Sequence, residues 1–293
     1  MGKIGIYVER YTISHADEMN GLMRFAHVAQ RMGHRTDFLF RPDMFKIPEY
    51  DAIYIRAMTD PLNSAYVASR TAEMHGIRAI DDSSSIRICC DKINMYRHLI
   101  NAGVQIPQTI FIHEHELNKQ TAAYVFDKLG CPVVLKAPNS AFSLYVDKAE
   151  TAEEFIKISK RFFWRADRIV AQRFIKSDFD WRIGMLGGQP LYACQYVIPK
   201  KAWRIATYLP DGKQVYGPVR AVAVDQVDPL LLQRAKEAAA AIGKGLYGID
   251  LKHLGDDYTV IEVNDNPTII TGEEDKKAAK LNERLINFLI FGS

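Results

Sequence analysis

Asp250, Glu262 and Asn264 are the side chains whose types and spacing most directly suggest chemistry in this chain of 293 residues. Asp250 sits in the apolar run Tyr247–Gly–Ile–Asp–Leu251, and the other two sit in Val260–Ile–Glu–Val–Asn264. A polar turn at Gly255–Asp256–Asp257 joins the two runs, which both read as buried strands. Residues two apart on a strand share a face, so Glu262 and Asn264 project together, and a hairpin places Asp250 across from them. Grouped oxygens of this kind suit a hard divalent cation, which takes one or two carboxylates along with substrate phosphates. Burying carboxylates without a counter-charge is costly, and a metal–nucleotide site removes that cost. An edge hairpin with a solvated polar face is the plain alternative. The polar continuation Asn264–Asp–Asn–Pro267 favours a lined cleft.

Cations stand elsewhere in the sequence. Lys136 ends the apolar run Pro132–Val–Val–Leu–Lys136 and leads into a polar loop with Ser140 and Ser143. It can reach an anion as a point charge, or simply snorkel from a strand end. Lys92 opens a helix, where the dipole disfavours a cation unless negative charge is near; alone it also reads as a solvated first-turn lysine. Asp180 and Arg182 share a strand face. The carboxylate can accept from a vicinal diol and the guanidinium can hold phosphate, or the two can form a structural pair. Lys200, Lys201 and Arg204 form a basic group in a long connection, a placement that is usually solvated. His113 and His115 alternate at a strand end without a third ligand, which reads as an exposed loop. Arg56 and Arg10 follow strands of the N-terminal region, at the edge where open sheets bind ligands. Arg56 is expected to hold a substrate carboxylate, with Arg10 as a helper.

The elements that position these residues begin with alternating strand and helix signals. Strands at 3–8, 36–40, 52–55 and 78–80 are separated by helices at 17–32 and 63–75, which argues a parallel, doubly wound sheet. No G-x-G-x-x-G follows the first strand, so a dinucleotide fingerprint is absent. Asp82–Ser85 reads as a loop and cap before a helix at 91–102. A strand at 106–112, a helix at 121–129, the Lys136 strand, a helix at 152–163 and a strand at 168–175 follow. Antiparallel signals then take over at 181–186, 190–198 and 217–224, with helices expected at 228–242 and 275–291.

Hydrophobic residues make up 48% of the chain and charged residues 25%, as in ordinary soluble domains. A formal charge of +3 is too small to make nucleic acid or an anionic membrane the main partner. No apolar stretch reaches the roughly 18 residues of a spanning helix. Cys89, Cys90, Cys131 and Cys194 lack C-x-x-C spacing, which points to a reduced, cytoplasmic setting rather than a zinc site or disulfide framework.

Taken in order, these segments resemble the ATP-grasp superfamily, and within it the RimK-type alpha-L-glutamate ligases, over nearly the whole chain. Tyr50–Arg56 is similar to a strand of the family's pre-ATP-grasp domain, and Ser83–Arg87 with Asp91–Lys92 to the opening of its nucleotide-binding part. Pro132–Lys136 is similar to the strand bearing the phosphate-binding lysine, Val170–Ile175 to the hinge that holds adenine, and Asp180–Arg182 to the D-x-R element. Asp250, Glu262 and Asn264 match the three magnesium ligands. The sequence departs from the family where the loop 139–143 lacks glycine, where Arg173 replaces an acidic hinge residue, where Ala206 replaces an asparagine, and along Pro267–Gly272.

The resemblance implies an α/β (α+β) ATP-grasp fold: a Rossmann-like pre-ATP-grasp domain over 1–88, then subdomains over 89–170 and 171–293. It implies ATP bound through Lys92, Lys136, Gln172, Arg173, Phe174, Ile175, Asp180 and Arg182, with two Mg2+ (or Mn2+) ions and with Lys136 and Arg204 acting in catalysis. The implied reaction activates a carboxylate as an acyl phosphate for attack by an amine. The implied partners are L-glutamate or another amino acid and an amine or peptide acceptor, with neither nucleic acid nor membrane; a homo-oligomer stays open. A nucleotide-binding sensor or scaffold without turnover is the reading from a different class.

Overall fold

The apolar N-terminal run forms β1 (Lys3–Tyr7), followed by α1 (Arg10–Ser14), α2 (Ala16–Arg31), β2 (Arg35–Leu39), β3 (Ala52–Ile55), α3 (Ser64–Met74) and β4 (Arg78–Ile80). The computed structural model describes residues 1–140, 144–200, 202–208 and 214–292. All pairings in this first sheet are parallel, in the order β2-β1-β3-β4. Side chains of β1 alternate between two cores: Ile4 and Ile6 cluster with Leu22 and Phe25 of α2, and Tyr7 with Ala65 and Ala68 of α3. Helices on both faces make the doubly wound layer that the strand–helix alternation predicts.

Two short helices lead out of this layer, α4 (Ser83–Cys89) and α5 (Lys92–Asn101). The serines expected in a loop are helical, because the Asp82 carboxylate accepts from the Ser85 amide and caps α4. Asp91 caps α5 by accepting from the Ile93 and Asn94 amides. Each cap satisfies amides that a helix start leaves without a partner.

The middle layer comprises β5 (Thr109–His113), α6 (Lys119–Leu129), β6 (Val133–Lys136), β7 (Val146–Ala149), α7 (Ala152–Phe163) and β8 (Arg168–Arg173). Its antiparallel sheet has the order β5-β8-β6-β7. β5 begins at Thr109 rather than Ile106, since Pro107 has no amide to give a ladder. The expected boundary at 170/171 falls inside β8, which pairs with β6 as far as Arg173, so this subdomain runs past it.

The remainder forms β9 (Phe179–Leu186), β10 (Gln189–Val197), β11 (Ala206–Tyr208), β12 (Gln214–Tyr216), β13 (Val219–Val222), α8 (Pro229–Ile242), β14 (Leu246–Leu254), β15 (Asp257–Asn264) and α9 (Leu281–Phe291). Five strands make an antiparallel sheet, β13-β10-β9-β14-β15, and β11 with β12 forms a separate ribbon that the sequence did not suggest. One face of the large sheet buries Tyr247, Ile249 and Leu251 against α5 and α8. By strand alternation the opposite face carries Asp250 and its partners. α9 is shorter than expected: Glu274 and Asp275 accept from the Ile270 and Gly272 amides and pin the preceding loop, so the helix starts only at Leu281. No helix among the described residues is long and apolar enough to cross a membrane.

Candidate active site

Strand register assembles the expected oxygen set. β14 and β15 pair with Asp250 opposite Glu262 and Gly248 opposite Asn264, and the register shifts only beyond Asp250. Asn264 Nδ2 donates to Asp250 Oδ2 and to the Gly248 carbonyl, each at 3.1 Å. Glycine is required at 248, because a Cβ there would lie 2.8 Å from Pro267 Cβ and 3.2 Å from Arg182 Cδ.

Both carboxylates have counter-charges. Arg182 grips Asp250 with two bonds, Nε to Oδ1 at 2.7 Å and Nη2 to Oδ2 at 2.8 Å. Lys92 Nζ lies 2.9 Å from Glu262 Oε1. Burial pushes the Asp250 carboxyl above its ordinary range, opposed by Arg182. Burial pushes Glu262 the same way, but Lys92 and Lys136 outweigh it and hold that carboxyl below its ordinary value. The premise that unpaired carboxylates demand a metal is therefore corrected: arginine and lysine already neutralise them. The fit to Mg2+ rests instead on donor chemistry. Among the described residues no group of three or more His, Cys, Asp or Glu side chains could hold a metal. Two carboxylates plus an amide oxygen nevertheless suit an ion that keeps water and phosphate for its other positions.

The two lysines are neither solvated nor snorkelling. Lys92 is 4% exposed and Lys136 is 5% exposed. Lys92 Nζ also donates to the Ser140 carbonyl at 2.5 Å, which ties the opening of α5 to the loop after β6. Lys136 Nζ donates to Tyr96 Oη at 2.7 Å. Desolvation lowers the Lys136 pKa, while the negative charge of Glu262 opposes that shift. Two buried ammonium groups beside one carboxylate form a positive lining that a polyphosphate would complete. Ser140 Oγ donates to the Ala137 carbonyl at 3.2 Å. Ser143 and Lys201 lie outside the described residues.

The hinge and the D-x-R element follow the same pattern of partners from neighbouring strands. Gln172 is buried and donates from Nε2 to Thr109 Oγ1 at 2.9 Å. The Arg173 amide donates to the Gln108 carbonyl at 2.9 Å, and its side chain is exposed. The Phe174 ring meets Trp203 edge-on at 6.2 Å. Asp180 and Arg182 do not pair with each other. Arg182 reaches Asp250, and Asp180 Oδ1 pairs with Lys252 Nζ at 3.0 Å. Lys252 also donates to the Ile175 carbonyl at 3.2 Å, so it joins the hinge to the D-x-R strand. The sequence reading missed Lys252, although its spacing of two from Asp250 puts it on the same face. Arg204 donates to the Val146 carbonyl, and Val146 pairs with Lys136. Lys200 is exposed.

At the N-terminal edge, Arg56 is buried. Its Nη1 donates to Asn266 Oδ1 at 2.5 Å and to the Pro267 carbonyl at 3.1 Å, directly beyond Asn264 of the hairpin. Arg10 is exposed at the start of α1, with no side-chain partner among the described residues. Asp265, in the polar run after Glu262 and Val263, is buried beside Cys90, and desolvation pushes its carboxyl up to about 7. His113 and His115 lie with ring centroids 5.4 Å apart and gain no third ligand among the described residues. A cavity of about 340 Å³ bounded by Arg87, Arg97 and Arg168 lies beside α5, and none of the expected site residues lines it.

Comparison with known proteins places this geometry in a family. Residues 89–289 match the model of the RimK-like ATP-grasp domain. The chain is 26% identical over 245 residues to the probable alpha-L-glutamate ligase 1 of Pseudoalteromonas atlantica, covering 83% of this chain and 77% of that protein. It is 24% identical over 225 residues to the glutamate–LysW ligase ArgX of Sulfolobus acidocaldarius, covering 74% of each. Among solved structures, the D-alanine–D-alanine ligase of Bacillus anthracis superposes with a TM-score of 0.73 at 17% identity, over 99% of this chain and 96% of that one. A RimK domain ATP-grasp protein of Sphaerobacter thermophilus gives a TM-score of 0.65 at 16% identity, over 98% and 97%. The three-layer fold is thus the ATP-grasp fold, and the chain belongs to the RimK-like ATP-grasp family of carboxylate–amine ligases.

Proposed function

We propose that this protein joins the carboxylate of an amino acid, L-glutamate first among them, to the amine of a small molecule or peptide at the expense of ATP. The observation that carries this reading is the meeting of Lys92, Lys136 and Glu262 at one end of the Asp250–Glu262–Asn264 hairpin. Relatives named as glutamate ligases support the choice of amino acid.

In this reading the hinge backbone from Gln172 to Ile175 receives adenine, Asp180 the ribose, and Lys92, Lys136 and Arg204 the phosphates. Asp250, Glu262 and Asn264 would hold two Mg2+ ions, or Mn2+ in their place. The bound metal supplies neutralisation of phosphate charge. A carboxylate oxygen of the substrate bonds to the γ-phosphorus while the β,γ-bridging oxygen leaves with ADP. The amine nitrogen then bonds to the acyl carbon, phosphate leaves, and the nitrogen loses a proton. Phosphoryl transfer draws mainly on positioning and electrostatic stabilisation, so buried cations matter more here than a dedicated base. Arg56, which is held by Asn266 and Pro267, would orient the carboxylate substrate, with Arg10 as a helper nearer solvent.

The test is ADP release by purified protein with Mg2+, ATP and a matrix of amino acids against amines and peptides. ADP that requires both an amino acid and an amine is expected. ATP binding without ADP release across the matrix would instead support a sensor or scaffold.

A further inference from the structure

Tyr96 lies one helical turn after Lys92 on α5, on the same face, and is fully buried. Its phenolic oxygen joins three elements. Lys136 Nζ of β6 donates to it at 2.7 Å, it lies 2.6 Å from the Ile261 carbonyl of β15, and Gln172 Oε1 of β8 stands 3.3 Å away. A phenol has one hydrogen, and the shorter contact to Ile261 claims it, which leaves the oxygen lone pairs for the ammonium. Ile261 immediately precedes Glu262, so this one oxygen connects the phosphate-side lysine to the strand of the hairpin carboxylate.

The residue type at this position is informative. Lysine has a flexible four-carbon stem, and an ammonium without a partner spreads over several rotamers. An aspartate or glutamate at 96 would hold the ammonium but cancel its charge. A phenylalanine would fill the space without holding it. A tyrosine holds the cation through a neutral acceptor and leaves its charge for a phosphate. Burial raises the phenol pKa well above its ordinary value, so the acceptor stays neutral. The plain alternative is that Tyr96 only satisfies an edge carbonyl. β15 is an edge strand, and α5 and the residues after it also supply partners to the Val263 amide (Met95 Sδ, 3.2 Å) and the Val260 amide (Gln105 carbonyl, 2.9 Å).

We propose that Tyr96 is a positioning residue for nucleotide binding, holding the Lys136 ammonium where it meets the ATP phosphates and keeping it in step with the Glu262 strand. This rests on the ATP-ligase reading of the site. The test measures binding of the Mg2+ complex of a non-hydrolysable ATP analogue, and of adenosine, by calorimetry on wild type, Tyr96→Phe, Lys136→Met and the double variant. Tyr96→Phe should weaken analogue binding about tenfold, the value of one hydrogen bond to a charged group. Adenosine, which lacks phosphates, should bind unchanged. In the Lys136→Met background, Tyr96→Phe should add less than about twofold, because its effect runs through the lysine. Equal losses for analogue and adenosine, or a Tyr96 effect undiminished without Lys136, would reduce Tyr96 to an edge partner. A damaged Lys136→Met with an intact Tyr96→Phe overturns the Tyr96 role alone, whereas an intact Lys136→Met overturns the nucleotide reading and Tyr96 with it. Should Tyr96→Phe fail to fold, NMR of the unaltered protein decides: slowed ammonium exchange at Lys136 with contacts to the Tyr96 ring supports the role, and free exchange overturns it.

Discussion

The hairpin end of the site and the Arg56 end are built by different means. Along β14 and β15, strand pairing sets Asp250 opposite Glu262, and neighbouring elements lock each carboxylate with a cation, Arg182 from β9 and Lys92 from α5. Around Arg56 the side chains come from connections: Arg56 follows β3, and its partners Asn266 and Pro267 follow β15. A strand residue cannot slip by one position without turning its side chain to the other face, whereas connections tolerate change. In the proposed reading, the phosphate chemistry falls to the rigid strand ladder and the choice of substrate to connections able to vary.

The largest effects should therefore fall on the hairpin. Glu262→Ala should lower ADP formation by at least ~10²–10³-fold, as expected when a preorganised electrostatic group is lost, while circular dichroism still reports a folded protein. Wild-type turnover in that variant would remove the hairpin from the chemistry. Arg182→Met should cost about 3–5 kcal/mol of stability in urea unfolding, because it strands the Asp250 carboxylate in a site where both partners are 12% exposed. A loss below about 1 kcal/mol would mean that water reaches the pair and the hairpin is less rigid than its ladder suggests.

Smaller effects grade toward the loops. Asn264→Asp adds negative charge beside the phosphates and should weaken Mg2+–ATP binding roughly tenfold in calorimetry; tighter binding would turn Asn264 away from the phosphates. Arg56→Lys keeps the charge and loses the planar fork, so the KM for the carboxylate substrate should rise by about three- to tenfold with the KM for ATP unchanged. A selective loss of ATP affinity would transfer Arg56 to the nucleotide side and erase the contrast. Arg24→Ala, which breaks the 2.8 Å pair with Asp275 beside the same loop, should cost at most ~1 kcal/mol, since Arg24 is 54% exposed.

How much was legible in the sequence follows from the same contrast. The hairpin could be read because a period of two assigns faces without knowledge of the rest of the chain. The parallel N-terminal layer could be read from strand–helix alternation. Tyr96 could not be read: its bond to Ile261 spans 165 residues, and a tyrosine on a helix face looks like core. Arg56 stands out by its place after a strand, but its contact with Asn266 spans 210 residues and is not legible in the sequence. Lys252 was within reach, two residues beyond Asp250, but an alternating lysine near a strand end reads as solvent-facing until Asp180 is placed beside it. The sequence predicts a longer final helix because Asp275 looks like a first-turn acid, with Glu274 just before it. They accept instead from loop amides.

Activation of a carboxylate by phosphoryl transfer is tested most directly by following oxygen. The amino-acid substrate that supports ADP release is supplied with ¹⁸O in its carboxylate, and the phosphate released on ligation is analysed by mass. One ¹⁸O atom per phosphate is expected, carried over when the acyl phosphate is broken by the amine. Unlabelled phosphate released alongside ligated product would contradict acyl-phosphate activation at this site.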